Sequence, residues 1–118
     1  MNKKLEKILK KVKEKNVEND KNLHLLEQDL KDMFTIINNT DRIKDLNIRY
    51  NCNAYSGISF KFKKNEDIII KFDGYKLHYT FRELFTIENS IFANFVKNYP
   101  IIQDQFIEIF KEQIEDVI

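Results

Sequence analysis

The sequence predicts an α+β domain, with a four-stranded antiparallel meander at about residues 46–82, two helices before it and two after it. Two adjoining hairpin patterns divide the residues of this region into an apolar face and an almost wholly basic face, as half-buried strands require. Apolar residues recur at helical spacing on both sides of it. With 118 residues, 42% of them hydrophobic, the chain is expected to form a single domain with all helices packed on the apolar sheet face.

A short basic amphipathic helix is predicted over about residues 1–15. Its apolar residues form one stripe with lysines around it, and they are Leu5, Ile8, Leu9 and Val12. A helix of this length is marginal alone in water, so it is expected either to pack on the core or to fold against a partner. A membrane-surface helix is disfavoured because the stripe is narrow and lacks Trp or Phe. The polar stretch 16–22 is expected to end the helix and to leave it loosely attached.

Three further helices are predicted from apolar residues at helical spacing. The first covers about residues 23–37 and lies across the apolar face of the sheet. Another covers about residues 91–99 and is expected to end before Pro100, because proline breaks a helix interior. Proline is tolerated at the first helical position, so Pro100 is expected to begin the last helix.

The second hairpin has the clearest register. Asp73-Gly74 is typical of a two-residue turn, in which both positions adopt positive φ. This turn pairs Ile70 with Leu77 on the apolar face and Lys71 with Lys76 on the opposite face. The pattern therefore predicts two lysines directly opposed on neighbouring strands.

The first hairpin needs a longer loop to keep its two faces separate. A two-residue loop would set Cys52 opposite Lys61, whereas a three-residue loop over 55–57 sets Cys52 opposite Phe60. Gly57 would then hold the left-handed position of that loop. The sequence predicts helices on the face that includes Phe60.

The basic face is the predicted contact surface for a partner. It carries no acid between residues 46 and 82, and like charges placed opposite each other repel unless something negative lies nearby. The alternative is an ordinary solvated sheet face, which lysines suit well. The residues predicted to bind a partner are Arg49, Lys61, Lys63, Lys71, Lys76, His78 and Arg82.

The last helix displays surplus apolar residues beside its core stripe. These residues are Ile107, Ile114 and Ile118. They predict either a homodimer or docking contact, or closer packing within the fold.

No pattern in the sequence predicts catalysis, a metal site or a cofactor. The register sets Cys52 on the apolar face and His78 on the basic face, which excludes a thiol–imidazole pair. Two histidines and one cysteine do not make a zinc site, and glycine-rich phosphate loops and nucleophile motifs are absent. We therefore expect a protein that is not an enzyme.

Charge is unevenly distributed along the chain. Residues 1–22 hold eight lysines and four acids, a net +4, whereas residues 83–118 hold two lysines and seven acids, a net −5. The overall pI of about 7.8 is lower than is typical of nucleic-acid-binding domains, and the basic face lacks aromatic residues that stack on bases. Direct nucleic-acid binding through this face is therefore the second choice.

The favoured function is a protein-binding module, a small regulator or inhibitor that contacts an acidic surface of a larger protein or a nucleic-acid-handling complex. Small lysine- and isoleucine-rich domains without motifs are common among mobile-element proteins, and anti-defence inhibitors resemble them in size and composition. The single cysteine, the lack of an apolar run of about 18 residues and the poor match to a signal peptide predict a cytoplasmic protein without a membrane span.

Overall fold

The computed structural model describes residues 1–51, 57–65, 68–72, 75–79 and 90–118, with the backbone alone described at 72, 75–79 and 90. One long helix precedes an antiparallel sheet in the chain and another follows it, which is an α+β arrangement. The elements in chain order are α1 (Lys3–Asn38), β1 (Asp45–Asn51), β2 (Gly57–Lys63), β3 (Ile68–Phe72), β4 (Tyr75–Tyr79) and α2 (Ser90–Glu115). The predicted architecture is wrong in its helices: the described residues form two long helices rather than four, and the sheet side chains are described for the three antiparallel strands β1–β3.

Helix α1 runs without a break through the polar stretch that was expected to end it. Its N-cap is Asn2, whose side-chain oxygen accepts a hydrogen bond from the backbone N–H of Lys4 at 2.8 Å. The stretch contains neither Gly nor Pro, and each asparagine costs at most about 0.7 kcal/mol relative to alanine. A break would create two new helix ends, each with four unsatisfied backbone groups. Asn22 also gains a contact, since its amide donates to the carbonyl of Lys97 on α2 at 3.2 Å.

Helix α2 is also continuous, which corrects the predicted break at Pro100. Proline removes one helix hydrogen bond and costs about 3 kcal/mol in a helix interior. Val96 and Tyr99 before it and Phe106 after it are fully buried in the same core. Burial of side chains of this size contributes about 1.5–3 kcal/mol each, which is enough to hold both halves in one helix.

We expect Pro100→Ala to stabilise the protein. Alanine restores the missing N–H donor and removes the ring, so the free energy of unfolding should rise by about 1–2 kcal/mol in chemical denaturation. Pro100→Gly restores the same donor but has a poorer helix propensity, and its gain should be about 1 kcal/mol smaller. A loss of stability in Pro100→Ala would show that the local backbone favours proline.

The sheet order is β1-β2-β3-β4, and each neighbouring pair is antiparallel. The register predicted for the second hairpin is confirmed: Ile70 lies opposite Leu77, and Lys71 lies opposite Lys76. The turn Asp73-Gly74 itself lies outside the described residues.

The register predicted for the first hairpin is wrong by four residues. Gly57 lies inside β2 opposite Asn51, and Ile48, rather than Cys52, lies opposite Phe60. An even shift keeps every side chain on its expected face, so the separation into two faces survives the error. Cys52 lies outside the described residues.

Both helices pack on the sheet face that carries Phe60 and Ile70, which are fully buried as predicted. The helices run parallel, because their mutual contacts advance in the same direction along both helices: Asn22 contacts Lys97, and Asp29, seven residues further along α1, contacts Gln103, six residues further along α2. Residues 1–18 are all exposed, and burial in α1 begins near Asn22. The N-terminal part of α1 is thus a continuation of the helix that lies away from the core.

Candidate partner-binding face of the sheet

The outer face is the side of the sheet turned away from the two helices. Alternation along the strands assigns its residues, since successive side chains point to opposite faces. Its members with described side chains are Asp45, Asn47, Arg49, Asn51, Ser59, Lys61, Lys63, Ile69 and Lys71. Lys76 and His78 share the register of this face on β4.

Three cations and a serine stand in one line across the four strands. Arg49 lies opposite Ser59, Ser59 lies opposite Lys71, and Lys71 lies opposite Lys76. We call Arg49, Ser59, Lys71 and Lys76 the cation row. Neighbouring strands are about 4.8 Å apart, so the backbone positions of Arg49 and Lys71 are separated by about 10 Å.

Arg49 and Lys71 are the accessible charges of this row. Both are exposed, and within the described part of the chain neither makes an ion pair. Ser59 between them is partly exposed. A guanidinium, a hydroxyl and an ammonium group in this order can bind carboxylates or phosphates through charge-assisted hydrogen bonds.

Lys61 and Lys63 are less available than the sequence indicated. Strand β1 begins at Asp45, one residue before the stretch over which the basic face was predicted to be free of acids, and Asp45 lies 3.5 Å from the ammonium group of Lys61. Lys63 is partly buried and has interactions of its own. Local carboxylate contact therefore already neutralises part of the predicted basic surface.

One apolar position in the middle of the outer face is buried. Ile69, the one large apolar residue there, is only 4% exposed and does not belong to the main core cluster. His78 lies opposite Ile69 in the register, next to this covered position. Arg82, the remaining residue predicted for this surface, lies outside the described residues.

A second basic region lies at the end of the sheet. An open depression of about 490 Å³ is lined by Lys44, Asp45, Lys63, Lys64 and Asn65. The ammonium group of Lys64 is 4.0 Å from Asp41 and donates to the carbonyl of Thr40 at 3.4 Å. Since a carboxylate and a carbonyl already contact Lys64, this depression is a weaker anion site than the cation row.

The predicted strip on the last helix is split between core and surface. Ile114 is 7% exposed and packs in the core, whereas Ile107 and Ile118 are 38% and 69% exposed. Of the two predicted alternatives, packing within the fold holds for Ile114, whereas Ile107 and Ile118 remain accessible for a contact.

A partly buried polar cluster links the two helices, and no pattern in the sequence predicted it. The hydroxyl of Tyr99 donates to Oδ2 of Asp29 at 2.6 Å, and the amide of Gln103 donates to the same oxygen at 2.8 Å. Burial raises the pKa of Tyr99 well above its ordinary value, and the hydrogen bond and negative charge of Asp29 raise it further. The group lies between packed helices, so its role is to fix their alignment.

The described residues show no cluster of three or more His, Cys, Asp or Glu side chains that could hold a metal ion. Nor does either helix, within the described part of the chain, contain a stretch sufficiently long and apolar to cross a bilayer. Comparisons of the chain with protein-family models, curated proteins and solved structures gave no match.

Proposed function

We propose that this protein is a non-catalytic protein-binding module, of the regulator or inhibitor type, that contacts an acidic surface of a larger protein through its cation row. The observation that carries the proposal is the alignment of Arg49, Ser59, Lys71 and Lys76 across the sheet, with Arg49 and Lys71 exposed. A rigid sheet holds these charges at fixed spacing, so a partner with matching carboxylates loses little freedom on binding.

The electrostatics of the row favour an anionic partner. Directly opposed like charges such as Lys71 and Lys76 destabilise a strand pair by a few tenths of a kcal/mol or more. A carboxylate placed between them removes this repulsion and adds attraction. Such a patch also raises the association rate with a negative surface and makes that rate sensitive to salt.

A protein partner fits the row better than a nucleic acid does. The described outer face has no aromatic side chain on which a base could stack. Asp45 also lies on this face and would repel a phosphate backbone. Nucleic-acid binding is the competing outcome of the experiment below.

The test is affinity capture from a host lysate with the full chain, with and without nuclease, followed by titration of the captured protein. Arg49→Glu with Lys71→Glu should weaken binding at least about tenfold, because two attractive charges become repulsive. Both positions are exposed, so stability should change by no more than about 0.5 kcal/mol each. The matched control is Lys3→Glu with Lys10→Glu, which changes the net charge equally but lies on the exposed end of α1.

The control variant should bind like the wild type, and added salt should weaken both. If the two double variants weaken binding equally, net charge alone explains the loss of affinity, and a role for the cation row is contradicted. Capture that disappears after nuclease treatment would replace the protein partner with a nucleic acid.

A further inference from the structure

The first turns of α1 carry apolar side chains that nothing in the described structure covers. We call residues 1–18 the N-terminal arm. Its stripe consists of Leu5, Ile8, Leu9 and Val12, which are between 40% and 56% exposed. These residues lie three or four positions apart and so share one face of the helix. Four exposed aliphatic side chains on one face of a helix indicate a docking surface.

The arm is also strongly basic. It contains seven lysines and three acids, a net charge of +4. Lys4, Lys11 and Lys15 lie along one border of the apolar stripe at helical spacing. An occupant of this face should therefore present apolar side chains beside carboxylates.

The same chain has a surface with that complementary chemistry. A hollow of about 190 Å³ opens between α1 and α2 and is lined by Asp29, Asp32, Met33, Ile36, Ile107 and Phe110. We call it the interhelix hollow. Ile36 and Ile107 are 46% and 38% exposed, so its apolar floor is accessible. Asp104, which is exposed, lies one helical turn before Ile107 and adds a third carboxylate to this side.

The arm cannot reach the hollow of its own molecule. The arm and the α1 wall of the hollow belong to the single helix Lys3–Asn38, in which Leu9 and Met33 are 24 residues apart. At about 1.5 Å per residue they are held about 36 Å apart. Contact between arm and hollow therefore requires two molecules.

We propose that the N-terminal arm of one copy of this chain docks in the interhelix hollow of a second copy. The stripe covers Ile36 and Ile107 of the second copy, and the arm lysines lie beside its Asp29 and Asp32. Each copy has one arm and one hollow, so a reciprocal exchange closes into a dimer with two equivalent contacts. The proposal does not depend on the cation row.

Two other occupants fit less well. Pairing of two arms would bring together two segments that each have a net charge of +4 and repel each other. A membrane surface would contact the polar residues Asn16 and Asn19, which continue the stripe toward the core. The stripe also lacks the aromatic residues that are typical of interfacial helices. Both are outcomes of the experiment that follows.

Sedimentation velocity of the full chain over a range of concentrations tests the proposal. The wild type should show a monomer–dimer equilibrium. The arm variant, Leu5→Ser with Leu9→Ser, should raise the dissociation constant about tenfold or more, because it removes two buried apolar contacts from each arm. The matched control is Val17→Ser, which removes a similarly exposed apolar side chain, 55% exposed, from outside the stripe. It should leave the dissociation constant unchanged.

The hollow variant, Ile36→Glu with Ile107→Glu, should lose dimerisation to the same extent. If circular dichroism shows that it unfolds, Asp32→Lys replaces it, since Asp32 is exposed and its reversal repels the arm lysines. Mixing the arm variant with the hollow variant is the decisive step. One intact arm then meets one intact hollow, and a mixed dimer should form although each variant alone is monomeric.

Several results would overturn the proposal. A wild type that stays monomeric at concentrations on the order of 100 μM would contradict dimerisation. A hollow variant that still dimerises while the arm variant does not would show arm–arm pairing. A mixture of the arm variant and the hollow variant that stays monomeric would show that the arm does not bind the hollow. A monomer whose arm binds anionic phosphatidylserine vesicles would assign the stripe to a membrane surface.

Discussion

Replacement of Phe95 by alanine is expected to lower the free energy of unfolding by about 3–5 kcal/mol. Phe95 is fully buried on α2 and is the hub of the aromatic core. Its ring lies between 5.6 and 6.4 Å from the rings of Tyr50, Phe60, Phe92, Tyr99 and Phe106. Alanine leaves a cavity bordered by both helix and sheet, which the surrounding rings cannot fill without leaving their own contacts. Urea denaturation followed by circular dichroism measures the loss.

Ile101→Ala is the control, because Ile101 lies on the same helix and is 83% exposed. Its free energy of unfolding should stay within about 0.5 kcal/mol of the wild type. An equally small change in Phe95→Ala would contradict the position of α2 against the sheet.

The faces of the sheet could be predicted from the sequence because alternation is a local property. Asp73-Gly74 determines the register of the second hairpin with a two-residue turn, and the opposition of Lys71 and Lys76 follows from it. The first hairpin lacks such a turn signal, so several loop lengths keep the same faces. Gly57 was predicted to be a loop residue only because that loop keeps apolar and charged residues on separate faces. The observed pairing of β1 with β2 differs from the predicted one by four positions.

The helix count could not be predicted because continuity depends on tertiary contacts. Pro100 and the asparagines near Asn22 are local helix breakers or weak helix formers. Their cost is outweighed by the core on both sides of Pro100 and by the hydrogen bond from Asn22 to α2. Neither contact has a signature in the spacing of residues along the chain.

Alternation predicts which residues share the outer face of the sheet, but it does not predict which of their charges are accessible. Membership of Arg49, Lys61 and Lys71 in the outer face follows from alternation. Neutralisation of Lys61 depends on the start of β1 at Asp45, and strand ends are poorly determined by local pattern. The availability of each charge therefore required the structure.

The stability of the protein at alkaline pH should depend on Tyr99. The pKa of this hydroxyl is raised in the folded state by burial and by Asp29, whereas in the unfolded chain it is about 10. Below pH 10 both states keep the proton. Above it the unfolded state releases the proton and the folded state does not, so the free energy of unfolding falls by about 1.4 kcal/mol per pH unit from this group. Denaturation in urea at a series of pH values from 8 to 11.5 measures this slope.

Comparison with Tyr99→Phe isolates the contribution of Tyr99, because the other tyrosines and the lysines titrate in both proteins and cancel in the difference. At pH 8 the wild type should be more stable by about 1.5–3 kcal/mol, the contribution of a hydrogen bond to a charged group. That advantage should stay constant up to about pH 10 and then shrink, until the two stabilities approach each other one to two pH units higher. A difference that stays constant over the whole range would show that Tyr99 titrates alike in both states.

Asp29→Asn separates the causes of the raised pKa. Asparagine keeps an acceptor for the Tyr99 hydroxyl but removes the negative charge, so burial, the largest cause, remains. The alkaline slope should therefore persist in this variant and begin near the same pH, because the start of the slope is determined by the unfolded chain. Loss of the slope in Asp29→Asn would show that the charge of Asp29, rather than burial, raises the pKa of Tyr99. The contact between the helices would then be primarily electrostatic.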